Sequence, residues 1–560
     1  MKLRTMRKLL ILLLIVVGIA NCALAYDFSA VCSSGQTLFY TITSNEEPYT
    51  VQIVSENSSS PYYTTNPTGN LVFPESVEYN GIIYSVTGVG NYAFSGCSGL
   101  STVTIPTSIT YFGYEAFVEC SGLYSVYYEG DIAAWCGIEF YSSGSNPLDE
   151  ASDLYFNNEL LVDIVIPSGV TKIGDYAFSG ARDVASLSIP SSVTSIGGES
   201  FNACSGLQTI TVESSNAYYD SRENCNALIN TSTNRLMQAS ANAFIPNSVE
   251  IIGNDAFMYT GPTTLVIPNS VTTIESYAFY GCKATSISLG TGVTSIGQYA
   301  FVFSQWYQNQ PDGILYLDDW CVEYKGTLDA AITIQEGTKH IASSAFKFNS
   351  DIVEVTLPST LEDIGEYSFY NSNNITTINI LASTPPTLQG YTSTPQNFSA
   401  SVFSSATVWT PCPAAAVYRS NDRWRNFANI RNEQTSQYNI AVQTEDVNKG
   451  DVSGAGSFTC DTEVTLTATP NDGYRFLAWD DGNEDNPRTV VVAGDRTYVA
   501  SFKAVHTITA TAGEHGSISP SGDVSVEDGD SQTFTMTTDY GYLLPLACES
   551  AFIASVKEYL

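Results

Sequence analysis

Residues able to do chemistry are sparse in this chain. It has three histidines, His340, His506 and His515, and none stands at a metal-ligand spacing. No Gly-rich phosphate loop, nucleophile elbow or His-Glu-x-x-His motif occurs. Carboxylates are plentiful and often adjacent, as in Asp318-Asp319 and Asp480-Asp481-Gly482-Asn483-Glu484-Asp485. A glycosidase needs two carboxyls converging across a cleft, which adjacency alone does not provide, so these clusters read as solvated acidic turns. Glu484 and its neighbours offer oxygen ligands to a hard cation such as Ca²⁺, but the ordered spacing of a calcium hand is missing. The expectation is a protein with no catalytic residue, no metal site and no cofactor.

Two other residue types recur at fixed places. Of twelve cysteines, Cys97, Cys120, Cys204 and Cys282 each lie three residues after an Ala-Phe or Ser-Phe pair. If they stack in neighbouring coils about 4.8 Å apart, Cys97 and Cys120 are within reach of a disulfide. The simpler reading is a column of small buried side chains, because Ala181 occupies the same place. Removal of a leader containing Cys22 would leave eleven cysteines, so at least one thiol is unpaired within a monomer. Tyrosine recurs two residues before the same phenylalanines, at Tyr92, Tyr176, Tyr277, Tyr299 and Tyr367. That position precedes a small residue expected to be buried and should face outward. Tyrosine gives rigid, amphipathic contact area at low entropic cost, so this column is the candidate binding surface. The alternative is a ladder that only stiffens the edge of the coils.

These columns presuppose a repeating scaffold. The phenylalanines are Phe94, Phe117, Phe178, Phe201, Phe257, Phe279, Phe301, Phe346 and Phe369, with spacings of 22 or 23 residues wherever no insertion intervenes. A period of this length marks a solenoid. Five residues before each Phe stands a bulky apolar residue, and twelve before always Ile or Leu. Gly occupies the fourth position before it in seven of nine copies and Pro the eleventh in six of nine. Segments such as Thr102-Val103-Thr104-Ile105 alternate as strands do. Pro then ends the ladder, a second short extended piece follows, and Gly permits a corner. The residues around Ala-Phe predict a tight helical turn. A single coil cannot close a core, whereas stacked coils bury a continuous one. The predicted class is mainly β, a right-handed solenoid with a parallel sheet along one face.

The unit Leu100-x-x-Val103-x-Ile105-Pro106-x-x-Ile109-x-x-Phe112-Gly113-x-x-Ala116-Phe117-x-x-Cys120 resembles the BspA-like leucine-rich repeat, common on surface proteins of Bacteroidetes and other host-associated bacteria. The resemblance covers residues 81–381, between a capping β region at 26–80 and a closing segment at 382–435. The insertions around Asp131–Ile138 and Asp220–Ala227 are similar to insertions in that family, as is the stretch from Thr384-Pro385-Pro386 through Pro411-Cys412-Pro413 to Trp424–Phe427. Family resemblance implies surface display, adhesion to host or microbial macromolecules, and no enzymatic activity.

A different pattern begins near Tyr438. Val464-Thr465-Leu466-Thr467-Ala468 alternates as a strand, and Gly473-Tyr474-Arg475-Phe476, Trp479–Gly482 and Tyr498–Phe502 follow. Residues 436–504 resemble the Listeria–Bacteroides-type bacterial repeat, also called the divergent internalin B-repeat, which implies a stalk or spacer. A second copy, 505–560, opens near His506. Its expected aromatic-Trp hairpin and last strand do not follow Gly541-Tyr542, and the expectation is a truncated, frame-shifted or unusual end.

Residues 1–25 read as a signal peptide. Lys2, Arg4, Arg7 and Lys8 precede the apolar run Leu9–Ile19, and Ala23-Leu24-Ala25 predicts cleavage between Ala25 and Tyr26. The run is short for a membrane anchor, and Asn21 is a poor fit to a lipoprotein site at Cys22. No later segment is apolar enough to span a bilayer. The chain carries 57 acids against 22 bases, a net charge of −35, and loss of the four leader cations takes the mature chain to −39. That balance excludes a general nucleic-acid binder, which needs a basic face. The apolar fraction of 43% excludes general disorder.

The expected function is therefore a secreted or surface-displayed, non-catalytic solenoid that binds extracellular host or microbial macromolecules. The second reading is a structural spacer or surface-layer component. A glycan-binding or carbohydrate-active protein is the third.

Overall fold

A computed structural model describes residues 25–390 and 395–541. The expected leader, apart from Ala25, and the end of the second bacterial repeat lie outside the described residues. Strands Phe28–Val31, Thr37–Ser44 and Thr50–Val54 cap the N-terminus as antiparallel neighbours. The third then pairs in parallel with Ile82–Val89, which leads into the first coil.

Each coil has three sides. One carries the alternating strand, in register with the next coil: Ser186 lies opposite Thr209, Leu187 opposite Ile210 and Ser188 opposite Thr211, all parallel. Leucine and isoleucine point into the core, while serine and threonine point out. The second side is a two-residue strand, as where Ile252, Ile274 and Ile296 follow one another in parallel register. The third side is the bend around Phe. There the amides of Tyr92, Phe94 and Gly96 donate to the carbonyls of Tyr114, Ala116 and Val118 in the next coil, at 2.9, 2.8 and 2.9 Å. The intervening amides of Ala93, Ser95 and Cys97 donate back three residues within the bend. Alternate amides thus bind coil to coil and turn to turn, which leaves no buried amide of the bend without an acceptor.

This arrangement explains two residue patterns. All nine positions two before the Phe are left-handed, with φ from 48° at Glu115 to 63° at Ser344. The nine positions two after it are left-handed too, from 55° at Tyr259 to 85° at Gly180. The corner is therefore made by these flanking residues, and the glycine four before the Phe has another role. A Cβ on Gly113, Gly197 or Gly365 would lie 2.6, 2.5 and 2.6 Å from the backbone nitrogens of Asn91, Asp175 and Ser343 in the preceding coil. In these coils glycine is there because the two backbones pass too closely for a Cβ, whereas Glu275 and Ala342 fill the same position in two others; this corrects the sequence reading, in which the glycine makes the corner.

Insertions interrupt the stack at three places. The short helix Ile132–Cys136, capped by the Asp131 side chain, places Trp135 in the core, where its indole donates to the Ala177 carbonyl at 2.7 Å. The hairpins Ala227–Asn230/Arg235–Ala239 and Gly313–Leu317/Trp320–Lys325 replace coils, and the hydrophobic core divides near each of them. Helices Ala400–Ser405 and Ala415–Ser420 close the far end over buried Trp424.

Beyond them, a sheet module packs around Ile440, Leu466, Trp479 and Phe502. Its strand Arg496–Ala510 pairs with Gln437–Thr444 and Tyr474–Trp479, then runs on to pair with Gly522–Glu527 of the second copy.

Candidate functional site

The nine phenylalanines are all buried. Phe94 and Phe117 stack with centroids 5.3 Å apart, Phe178 and Phe201 at 5.7 Å, Phe279 and Phe301 at 5.3 Å, and Phe346 and Phe369 at 4.9 Å. Where an insertion separates them, other aromatics take over: Trp306 meets Phe301 edge-on, and Tyr324 stacks on Phe346. The column is structural throughout.

The tyrosine column is only partly what outward placement implies. Tyr92, Tyr176, Tyr277, Tyr299 and Tyr367 are half-buried, because their left-handed backbone lays the rings along the bend. Tyr92 stacks on Tyr62 at 5.3 Å and meets Tyr114 edge-on. Only Tyr277 and Tyr299 are brought together as neighbours, 5.6 Å apart. Tyr176 is followed in the column by Glu199 and then Asp255, two acids that line one cavity beside the first inserted hairpin. Burial, with a smaller contribution from Glu199, pushes Asp255 up to about 7.

The cysteine column behaves as small buried side chains. Cys97, Cys120, Cys204 and Cys282 carry free thiols, and those of Cys120 and Cys204 donate to the Phe94 and Phe178 carbonyls. Ser372 donates to Phe346 in the same way at 2.7 Å. A disulfide that sequence spacing does not indicate joins Cys412 to Cys460. His340 contacts the Asp363 carboxylate at 2.5 Å and stacks on Trp320. Burial alone would lower its pKa, but the hydrogen bond and charge of Asp363, with the charges of Asp319 and Glu362, together outweigh this and raise it. The pair ties adjacent coils. Among the described residues no group of three or more His, Cys, Asp or Glu is placed to hold a metal ion.

The outward face of the alternating sheet holds residues that the tyrosine column did not indicate. Along most coils this face is serine and threonine. In one stretch the register aligns Val72, Thr104, Tyr127 and Tyr155 across four strands. Tyr127 and Tyr155 stack at 4.6 Å, and an open cleft of about 630 Å³ lies over the neighbouring threonines. Toward the other end Trp409 stands in the row of Thr356 and Asn379, beside exposed Leu381, and lines a second cleft of about 570 Å³ with Tyr438 and Glu433. The period-2 pattern marks these positions as outward. Their aromatic identity, set against the polar norm of the other coils, was the available signal.

The model of the BspA type leucine-rich repeat region matches residues 50–145, 149–245, 235–324 and 321–391, more than half of the chain. The chain belongs to the BspA-type leucine-rich repeat family. A divergent InlB B-repeat domain follows at residues 440–506. Among solved structures, this BspA-type chain is similar to a leucine-rich cell surface protein from Faecalibacterium prausnitzii A2-165, at 22% identity over 63% of this chain and 94% of that one, TM-score 0.34. It is also similar to a leucine-rich repeat protein from Bacteroides ovatus, at 20% identity over 73% and 100%, TM-score 0.29. No curated protein matches it. In this BspA-type chain no described helix is long and apolar enough to cross a membrane.

Proposed function

We propose that this BspA-type protein is exported and displayed at a bacterial surface, where the outward sheet face of the solenoid binds extracellular host or microbial macromolecules without catalysis. The carrying observation is the aromatic relief on an otherwise serine- and threonine-rich sheet, at Tyr127–Tyr155 and at Trp409. These three rings are half-buried and outward-facing, and aromatics bounded by polar side chains are the usual composition of recognition surfaces. The tyrosines of the bends, Tyr92, Tyr176, Tyr277, Tyr299 and Tyr367, stand on another side of the coil and would contribute a lateral edge to such contacts. The acidic net charge favours partners that are neutral or basic and disfavours anionic polymers.

Binding of the mature chain to immobilised host matrix proteins, serum and mucin, measured with wild type and with a Tyr127→Ser/Trp409→Ser double variant, tests this reading. Binding that falls in the variant supports it, and absence of binding to every pool refutes it. A spacer role is the second reading, and the Cys412–Cys460 link between solenoid and β module favours it. A spacer would bind none of the pools.

A further inference from the structure

We propose that the cleft over Thr102, Thr104 and Tyr127 is a binding site for a neutral polysaccharide. The proposal rests on the surface-binding reading and names the ligand class for one part of that surface.

The shape comes from the register. Tyr127 is packed on one side by Tyr155, at 4.6 Å with ring planes 15° apart. On its other side the next residue in the row is the much smaller Thr104. The sheet surface therefore drops by most of a side chain at this point, and Tyr127 forms the wall of the step. A pyranose ring presents a face of C–H groups that suits an aromatic wall and an equatorial rim of hydroxyls that needs hydrogen bonds. Thr102 and Thr104 form the floor, Asn70 one rim, and Asn157 with Asn158, at the tip of the hairpin Asp153–Phe156/Glu159–Leu160, the other.

The side chains of these lining residues make no hydrogen bond within the described protein. Some polar side chains elsewhere on the solenoid are spent on an adjacent coil, as Ser186 binds Asp163 and Ser359 binds Glu336. What marks this cleft is that uncommitted hydroxyls and carboxamides gather around a tyrosine ring. Hydroxyls and carboxamides both donate and accept, as a polyhydroxylated ligand requires.

Charge selects among such ligands. The cleft is lined by one carboxylate, Glu129, and by no lysine or arginine. Asp153 lies on the adjoining row beside Tyr155. A sialylated, sulfated or uronic polymer would meet repulsion with no compensating cation. The cleft is open along the sheet, which suits an internal segment of a chain better than a single terminal sugar.

Affinity electrophoresis of the full chain through gels containing galactomannan, xyloglucan, mixed-linkage β-glucan or α-mannan tests the proposal, with heparan sulfate and poly-lysine as charged counterparts. The expected result is retardation by at least one neutral polymer, weakened about tenfold in Tyr127→Ala and unchanged in Val447→Ala, an exposed residue of the β module. Thr104→Tyr, which fills the step with a good strand former, should abolish retardation even if Tyr127→Ala proves poorly folded. Retardation by none of the neutral polymers, retardation only by a charged one, or wild-type behaviour of Thr104→Tyr overturns it. If the neutral polymers fail while the mature chain still binds host proteins, only the ligand class is wrong. If both assays fail, the surface-binding reading falls with it.

Discussion

Cys412 and Cys460 are covalently joined across the boundary between the closing cap of the solenoid and the first β module, with Cα atoms 5.9 Å apart and 48 residues between them in sequence. Beside them the Asn432 carboxamide donates to both carboxylate oxygens of Asp461, at 2.9 and 3.0 Å. The module is thus fixed to the end of the solenoid and does not hang from a free linker. Closing a loop of this length in the unfolded chain is worth up to about 4 kcal/mol. A Cys412→Ser/Cys460→Ser variant should lower the stability of the module toward denaturant by up to that amount and open residues 431–438 to proteolysis. Unchanged unfolding and unchanged cleavage would show that packing alone holds the junction.

The glycines of the repeat serve two separate needs, and substitution distinguishes them. Gly197 has an ordinary φ but no room, since a Cβ would sit 2.5 Å from the Asp175 nitrogen. Gly197→Ala should cost about 2 kcal/mol or more, because backbone must shift. Glu119 is exposed with φ of 63°, a conformation that strains an ordinary residue by about 1 kcal/mol. Glu119→Gly should therefore stabilise by roughly 0.5–1 kcal/mol. Chemical denaturation of the two variants checks the pair, and a neutral Gly197→Ala would mean that the coils are not spaced as the turn ladder requires.

Much of this scaffold is legible in the sequence because stacking repeats each constraint nine times. The phenylalanine column, the alternating strand and the buried cysteines each follow from one position copied at 22 or 23 residues. The left-handed residues two before each Phe escape notice because Tyr, Glu and Ser, which fill all of these positions but Asp255, carry little signal for positive φ, unlike glycine. The Cys412–Cys460 pairing escapes because spacing does not determine connectivity. Tyr127, Tyr155 and Trp409 escape for a subtler reason. Alternation says that they face out, but only the register between strands shows that two tyrosines meet and that a threonine leaves a step beside them.

The second inserted hairpin carries an acid in an unusual setting. Glu323 is buried, accepts the Tyr324 amide at 3.2 Å, and lies near Tyr299, Tyr307 and Cys321. The nearby Lys325 ammonium is committed to the Gln308 and Gln310 carbonyls. Burial pushes Glu323 up to about 8, so the folded protein holds this proton more tightly than the unfolded chain. The associated stability is complete below the ordinary value of 4.5 and is lost as pH rises through 8. Denaturant midpoints should therefore fall between pH 5 and pH 8.5. Glu323→Gln should remove part of that fall and stabilise the protein at pH 8.5 by about 2 kcal/mol. A variant with the wild-type pH profile would place the sensitivity elsewhere, with Asp255 the next candidate.

Acid should act oppositely on the first β module. Arg488 grips Asp481 with both terminal nitrogens, at 2.7 Å each, and stacks on Tyr498. The hydrogen bonds from Arg488 hold Asp481 down at about 2. Here the unfolded chain binds the proton more tightly, so the contribution is complete above the ordinary value of 3.8 and is lost as pH falls through 2. The pair is partly solvated, so its worth is about 1 kcal/mol and it weakens with salt. Asp481→Asn should lower the stability of the module by that amount at pH 7 and by almost nothing at pH 2, read from the fluorescence of Trp479, which is buried in the module core. An equal loss at both pH values would mean that the carboxylate matters through its hydrogen-bonded turn geometry, because its charge would then contribute nothing.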